Sequence, residues 1–354
     1  MACRTESSGS RPVKSIRIDK TASVTVNVSV DRETRIGGDL TPTRGKVCIV
    51  RALEEKRVYD RIELVSGRMA KVSKGDVIAG VFGERRALQG FAGIIPEKIK
   101  TGDVLNILNI GGVVGRAVSY SRAYGPPLRV EFLGIAEREG KSLSIEDNAL
   151  KTSDVLEKSW TVPLIVVSGT SMNSGKTVVA AKLTQELSWK GYRICGVKAS
   201  GISALKDMLN MADHGAVKAL SFLDFGYPST VCCYDVPRIT KGALKELVKY
   251  EPDVIVVELG DGLLGDYGVL EFFKDSELRE AISCNIVCAL DPVGAWGMKK
   301  IMEENDIPVH LISGPVTDNV VGTDFVKSLG LMALNALYQK NELGAYIAGR
   351  IGKI

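Results

Sequence analysis

The spacing of apolar positions changes partway along this chain. Over residues 13–140 short apolar runs alternate with polar residues, the period of a strand with one buried face. Ser23 to Val30 is the plainest case, with Val24, Val26, Val28 and Val30 falling on one side. Two later segments, Lys74-Gly-Asp-Val-Ile-Ala-Gly-Val and Thr101-Gly-Asp-Val-Leu-Asn-Ile-Leu, each set a Gly-Asp turn before a short apolar strand. Glycines recur at 80, 83, 90, 93, 111, 112 and 115, which suits bulges and tight corners. The pattern predicts a β-rich barrel or sandwich over residues 23–140. Gly111-Gly-Val-Val-Gly115 lacks a flanking βαβ pattern, so its glycines are read as structural rather than as a dinucleotide loop. Residues 1–22 are polar, without an apolar core segment, and are expected to be a flexible tail rather than a signal peptide.

Residues 141–160 are charged and weakly periodic, and are assigned to a linker or a short helix. From Thr161 to about 345, continuous apolar runs alternate with amphipathic stretches. Strands are expected at 164–167, 194–197, 230–234, 254–257, 286–290 and 309–312. Helices are expected at 177–190, 203–222, 240–250, 294–305 and 324–339. Buried strands joined by helical crossovers predict an α/β domain, a mostly parallel sheet with helices on both faces. Ligands of such sheets lie beyond the carboxyl ends of the strands, so the residues there carry the functional question.

The first of these ends is Pro163-Leu-Ile-Val-Val-Ser-Gly-Thr-Ser-Met-Asn-Ser-Gly-Lys-Thr177. A buried strand, a Gly/Ser loop and a Lys-Thr pair at a helix start together form a phosphate cradle. Backbone N–H groups of Gly169, Thr170, Asn173, Ser174, Gly175 and Val178 are the candidate phosphate donors. Lys176 is placed to reach the β and γ oxygens, and the Thr177 hydroxyl to meet Mg²⁺. Thr170 occupies the position where the strict spacing has its first glycine. Ser171 stands where partition-type ATPases carry a second lysine, which argues against a filament or membrane switch of that kind.

Lys198 and Ser200 follow the second strand, and Glu258 and Asp261 follow the run Val254–Val257. An acidic residue closing such a strand commonly binds or orients Mg²⁺. Asp213, with Asp207 as the lesser choice, is the third acidic candidate for the metal. Asp318 and Asn319, after the last strand, are candidates for reading the base, with turn formation as the plain alternative. No Asn-Lys-x-Asp run that would select guanine is present.

Composition changes this picture little. Of 354 residues, 45% are hydrophobic and 25% charged, a globular profile, and a net charge of +4 gives no reason to expect nucleic acid. No run approaches the roughly 18 apolar residues of a membrane span, so no membrane association is expected. Seven cysteines, mostly in apolar contexts, read as buried thiols of a cytoplasmic protein, and two histidines exclude a histidine-rich metal site.

Gly169-Thr-x-x-x-x-Gly-Lys-Thr177, then Gly191-Tyr-Arg-Ile-Cys-Gly-Val-Lys-Ala-Ser-Gly201, then a strand ending in Glu258 resemble the dethiobiotin synthetase and cobyrinic acid diamide synthase family of P-loop enzymes. The resemblance covers residues 161–340. It implies that Lys176 and Lys198 hold phosphates and the reacting group, that Thr177, Asp213 and Glu258 assemble a Mg²⁺ site, and that subunits pair as a homodimer. It also implies an ATP-dependent ligase or synthetase, GTP not being excluded, that phosphorylates a carboxylate or carbamate of a small-molecule substrate. Three departures stand out: no glutamine-amidotransferase domain, Lys-Ala-Ser-Gly in place of Lys-Pro-x-x-Ser-Gly, and a β-rich first half foreign to dethiobiotin synthetase. The second hypothesis is a nucleotide-gated accessory protein of cofactor assembly, whose β half docks a protein partner.

Overall fold

A computed structural model describes residues 14–37 and 40–352. Residues 1–13 of the expected tail lie outside it. From Lys14 the chain is not a tail, since Lys14–Arg17 pairs antiparallel with Glu33–Ile36 and Lys20–Thr21 pairs with Ile78 and Ala79.

The first half is rich in sheet. Val47–Ala52 lies antiparallel to both Val77–Phe82 and Arg129–Arg138. Val77–Phe82 continues in parallel to Val113–Tyr120, which pairs with Val104–Ile107, which pairs back onto Arg129–Arg138. The pairing therefore returns to its starting strand around a core that includes Ile49, Ile78, Phe82, Leu105 and Phe132. Both Gly-Asp turns feed strands as expected. Asp76 accepts the Ser73 amide and Asp103 the Lys100 amide, so each aspartate closes its own turn. Gly112 has φ +93°, and a Cβ there would meet that of Ala22 at 2.2 Å, which fits a structural glycine.

Ser23–Val30 departs from expectation. Ser23–Thr25 is a turn of 3-10 helix, with Thr25 donating its hydroxyl to the Ala22 carbonyl at 2.8 Å. The segment is thus held by local side-chain bonds and by Ser23 on Glu63, and β-branched alternation loses to them.

In the second half, seven parallel strands are numbered here in chain order: β1 (Leu164–Gly169), β2 (Ile194–Ser200), β3 (Lys218–Ser221), β4 (Val254–Leu259), β5 (Ile282–Cys288), β6 (Leu311–Ser313) and β7 (Met332–Ala333). Their spatial order is β3-β2-β4-β1-β5-β6-β7. Every residue of β1, β2 and β4 is buried, which explains their unbroken apolar runs. The main helices are α1 (Lys176–Trp189), α2 (Lys206–Asp213), α3 (Val236–Leu247), α4 (Val269–Lys274), α5 (Ser276–Ala281), α6 (Pro292–Glu304), α7 (Val320–Ser328) and α8 (Lys340–Ile351). Separate apolar clusters pack on each face of this sheet.

Two expectations fail here. The third strand is Lys218–Ser221 rather than 230–234, because Gly215 at φ +104° ends α2 early and releases the chain into the sheet. Residues 230–234 turn instead: Cys232 sits at φ +50°, and Thr230 donates its hydroxyl to the Tyr267 carbonyl at 2.9 Å. The last expected helix stops at Ser328, ahead of Gly330 at φ +76°. Over residues 141–160, expected as a linker or a short helix, no helix forms, and the Ser153 amide bonds the Arg238 carbonyl of α3.

Candidate functional site

β1 is central in its sheet, and its carboxyl end runs straight into the glycine loop. Asn173 takes φ +63° and Gly175 φ +94°, so the loop curls back before α1 begins. A Cβ at Gly169 would stand 2.4 Å from the Ser174 hydroxyl and 2.8 Å from the Cys288 carbonyl, so nothing larger fits beneath the curl. Strand, curled loop and helix start are those of a phosphate-binding loop.

Lys176 is buried, and its Nζ donates to the Ser171 carbonyl at 2.7 Å and lies 3.3 Å from the Ser174 hydroxyl. It thereby spans the mouth of its own loop. Burial holds its ammonium below the ordinary lysine range, partly offset by negative neighbours that include Glu258 and Asp261.

β4 pairs directly with β1 and β2, which brings Glu258 alongside both rims. Thr177 donates its hydroxyl to Glu258 Oε1 at 2.7 Å, and Lys198 Nζ lies 3.2 Å from the same oxygen and 2.7 Å from Asp207 Oδ2. Burial alone would depress Lys198, but Asp207 and Glu258 more than offset it and hold the ammonium well above its ordinary range. Glu258 is 1% exposed, and its Oε2 has no hydrogen-bond partner among the described residues. The Thr170 and Ser168 hydroxyls nearby are buried and unpartnered as well. Unpaired polar atoms are rare in interiors, and here three lie at or near the carboxyl ends of β1 and β4.

Other residues singled out from the sequence fall around this centre in different ways. Asp207 borders the chamber with Lys176, Thr177, Lys198 and Glu258, whereas Asp213 is exposed in the last turn of α2. Ser200 is fully buried and donates to the Gly260 carbonyl at 3.1 Å, tying β2 to β4. Val178 is 41% exposed at the start of α1. The Asn173 side chain donates to Gln89 Oε1 at 2.9 Å, a contact with the β-rich half. Asn319 caps α7 by accepting the Gly322 amide at 3.1 Å, and Asp318 accepts from Asn335 at 2.9 Å, so both have structural partners. Among the described residues no group of three or more His, Cys, Asp or Glu side chains is arranged as a metal cluster. Nor is any helix long and apolar enough to cross a membrane.

The β-rich half supplies groups that sequence reasoning missed. Tyr59, Arg85 and Asn109 line a chamber of about 290 Å³ together with Lys176, Thr177, Lys198 and Glu258. Glu63, fully buried, accepts the Leu205 and Lys206 amides at 2.7 and 2.8 Å and so caps the start of α2. Asp261, at φ +68°, sits at the junction of this chamber with a second cavity, and burial raises its carboxyl above the usual range. Neither Arg85 nor Glu63 lies in a periodic apolar segment or a loop motif, so no local signal distinguishes either from surface charge.

No known family profile and no curated protein matches the chain. The resemblance to the dethiobiotin synthetase family therefore rests on its motif residues alone. Among solved structures, hydrogenase maturation factor HypB from Archaeoglobus fulgidus is 13% identical at a TM-score of 0.40, over 54% of this chain and 91% of that one. The signal recognition particle 54 kDa protein from Aeropyrum pernix K1, in complex with GDP, is 17% identical at 0.38, over 56% and 48%. The receptor FtsY from Elizabethkingia anophelis, also with GDP, is 14% identical at 0.33, over 46% and 51%. The chain thus spans about half the length of these last two proteins. Function is read from the site geometry.

Proposed function

We propose that this protein binds a nucleoside triphosphate with Mg²⁺ on the 169–177 loop, hydrolyses it, and couples the reaction to a small molecule lodged between its two halves. One observation carries this reading. Two buried lysines, the Thr177 hydroxyl and an incompletely bonded Glu258 converge on one chamber beside a curled loop of backbone amides. Phosphoryl transfer asks little else of a protein than positioning and charge neutralisation in a site shielded from water.

The donor set suits Mg²⁺, because Glu258 Oε2 is orphaned and Thr177 Oγ1 stands beside Oε1. Thr177 and Glu258 would hold the ion, which neutralises charge on the triphosphate. Lys176 would exchange the Ser171 carbonyl for phosphate oxygens. Lys198 would stabilise charge developing on the transferred group while Asp207 fixes its direction. The strand pairings that close on themselves favour a small barrel for the first half. Its Tyr59, Arg85 and Asn109 would form the far wall of the chamber.

The ligase chemistry this site fits is transfer of the γ-phosphoryl group to a carboxylate or carbamate oxygen, with release of the nucleoside diphosphate. A nitrogen nucleophile then displaces phosphate. ATP and GTP are to be compared, since Asn319 is engaged in capping α7 and Asp318 in a bond from Asn335, which leaves the choice of base open. Turnover of each nucleotide, measured alone and with pools of carboxylates and amines, tests the reading. Stimulation by a small molecule supports it. Slow turnover indifferent to every small molecule but raised by a protein would favour the accessory role.

A further inference from the structure

Beside the phosphate chamber lies a second cavity of about 510 Å³, formed jointly by the two halves of the chain. The β-rich half contributes Arg85, Leu88, Ile94 and Val118, and the P-loop half contributes Thr170, Ser171, Asp261 and Leu264. Arg85 and Asp261 border both cavities, so the two spaces meet at these side chains.

Arg85 is unusual for its setting. It is 2% exposed, and among the described residues no carboxylate lies within ion-pair distance of it and its Nε has no hydrogen-bond partner. Its Nη1 donates to the Leu108 carbonyl, and its guanidinium stands 5.5 Å from the Phe91 ring and 6.0 Å from that of Tyr59. A carbonyl and two ring faces orient the guanidinium, and Asp261, the carboxylate it acts on across the cavity wall, lies beyond ion-pair distance, so no direct partner neutralises it. A buried, unpaired cation is costly unless a counter-ion is brought to it. Arginine offers its donors in a planar fork that matches a carboxylate or phosphate.

The rest of the cavity has another character. Leu88 is 80% exposed, Leu264 73%, Val118 61% and Ile94 38%, four large apolar side chains gathered around one opening. Scattered apolar residues need no explanation, but a cluster rimming a concave space next to a fixed charge does. The volume is that of a small-molecule site.

We propose that this cavity binds an oxyanion, carboxylate or phosphate, on a small apolar body: the anion meets Arg85 and the body is covered by Leu88, Ile94, Val118 and Leu264. The assignment deepens the nucleotide reading, because Thr170 and Ser171 of the phosphate loop form part of the same wall. The molecule would therefore present its anionic end toward the nucleotide's terminal phosphate.

The test is calorimetry on the full-length protein holding Mg²⁺ and a non-hydrolysable nucleotide, titrated with hexanoate, phenylacetate and phenyl phosphate. At least one probe should bind saturably, and whether a carboxylate or the phosphate wins identifies the anion. Arg85→Gln, compared at saturating nucleotide, should weaken that probe roughly tenfold or more. Leu264→Trp, on an exposed side chain that the fold does not need, should block the probe by filling the cavity. No binding of any probe by the native protein would overturn the proposal, as would equal binding by both variants. Probe binding that depends on Arg85 in a protein that takes up no nucleotide would sink the preceding reading and leave this one standing.

Discussion

Replacing Lys198 with methionine is the sharpest single perturbation of the site. The change keeps a similar volume and removes one charge from between Asp207 and Glu258, at 2.7 and 3.2 Å. At an effective dielectric near 20, attractions at those distances are each about 5–6 kcal/mol. Desolvating three groups that are 8%, 8% and 1% exposed cancels much of that. What remains on deleting the cation is the cost of stranding two buried carboxylates, about 3–5 kcal/mol. For a domain of this size that is a fall on the order of 10 °C in Tm. The raised pKa of Lys198 keeps its contribution intact below about pH 10, the ordinary lysine range, and loses it only above the folded-state value. Neutral pH is therefore the right condition. Urea unfolding of Lys198→Met should show the loss in the metal-free protein, and Mg²⁺ with nucleotide should restore part of it. Adding Asp207→Asn and Glu258→Gln should recover most of it, because no unpaired charge is left. A cost below about 1 kcal/mol, or no recovery in the triple variant, would refute the electrostatic account of this centre.

Three further outcomes are expected. Glu63→Gln removes the carboxylate that caps α2 across the two halves; it should cost about 2 kcal/mol and speed amide exchange at Leu205–Asp207. Gly262→Ala places a Cβ 2.3 Å from the Thr170 carbonyl, so it should displace the phosphate loop and weaken nucleotide binding, read by calorimetry, with far-UV dichroism unchanged. Burial lowers the pKa of His310, whose Nδ1 accepts the Asn285 amide at 3.0 Å. The unfolded chain therefore binds more protons, and stability from this site falls as pH drops below about 6.5. His310→Phe should be less stable at pH 8 but lose less Tm than the native protein between pH 8 and 5.

The parts of the site visible in the sequence are those built from consecutive residues. Leu164–Gly169, the loop and Lys176-Thr177 announce themselves because strand, curl and helix start occupy one short stretch. Glu258 and Lys198 were found because each closes an apolar run, and parallel pairing delivers such ends to one rim. What was missed depends on contacts between distant segments. Arg85 looks like surface charge until the β-rich half folds over Asp261, and Glu63 looks like any strand glutamate until the Leu205 amide arrives. The strand errors have different causes: Thr25 spends its hydroxyl on the Ala22 carbonyl three residues back, whereas Thr230 is held by the distant Tyr267 carbonyl, a contact that no local pattern announces. Asp213 closes α2 and is exposed, whereas Asp207, in the first turn at the opposite end of the helix, meets Lys198.

Calorimetric titration of the full chain with ATP and with GTP, in the presence of Mg²⁺, tests the central claim most directly. One nucleotide should bind per chain with affinity that depends on Mg²⁺, and Lys176→Ala should abolish it while the fold persists. Uptake of neither nucleotide by the native protein, or equal uptake by Lys176→Ala, would contradict the account.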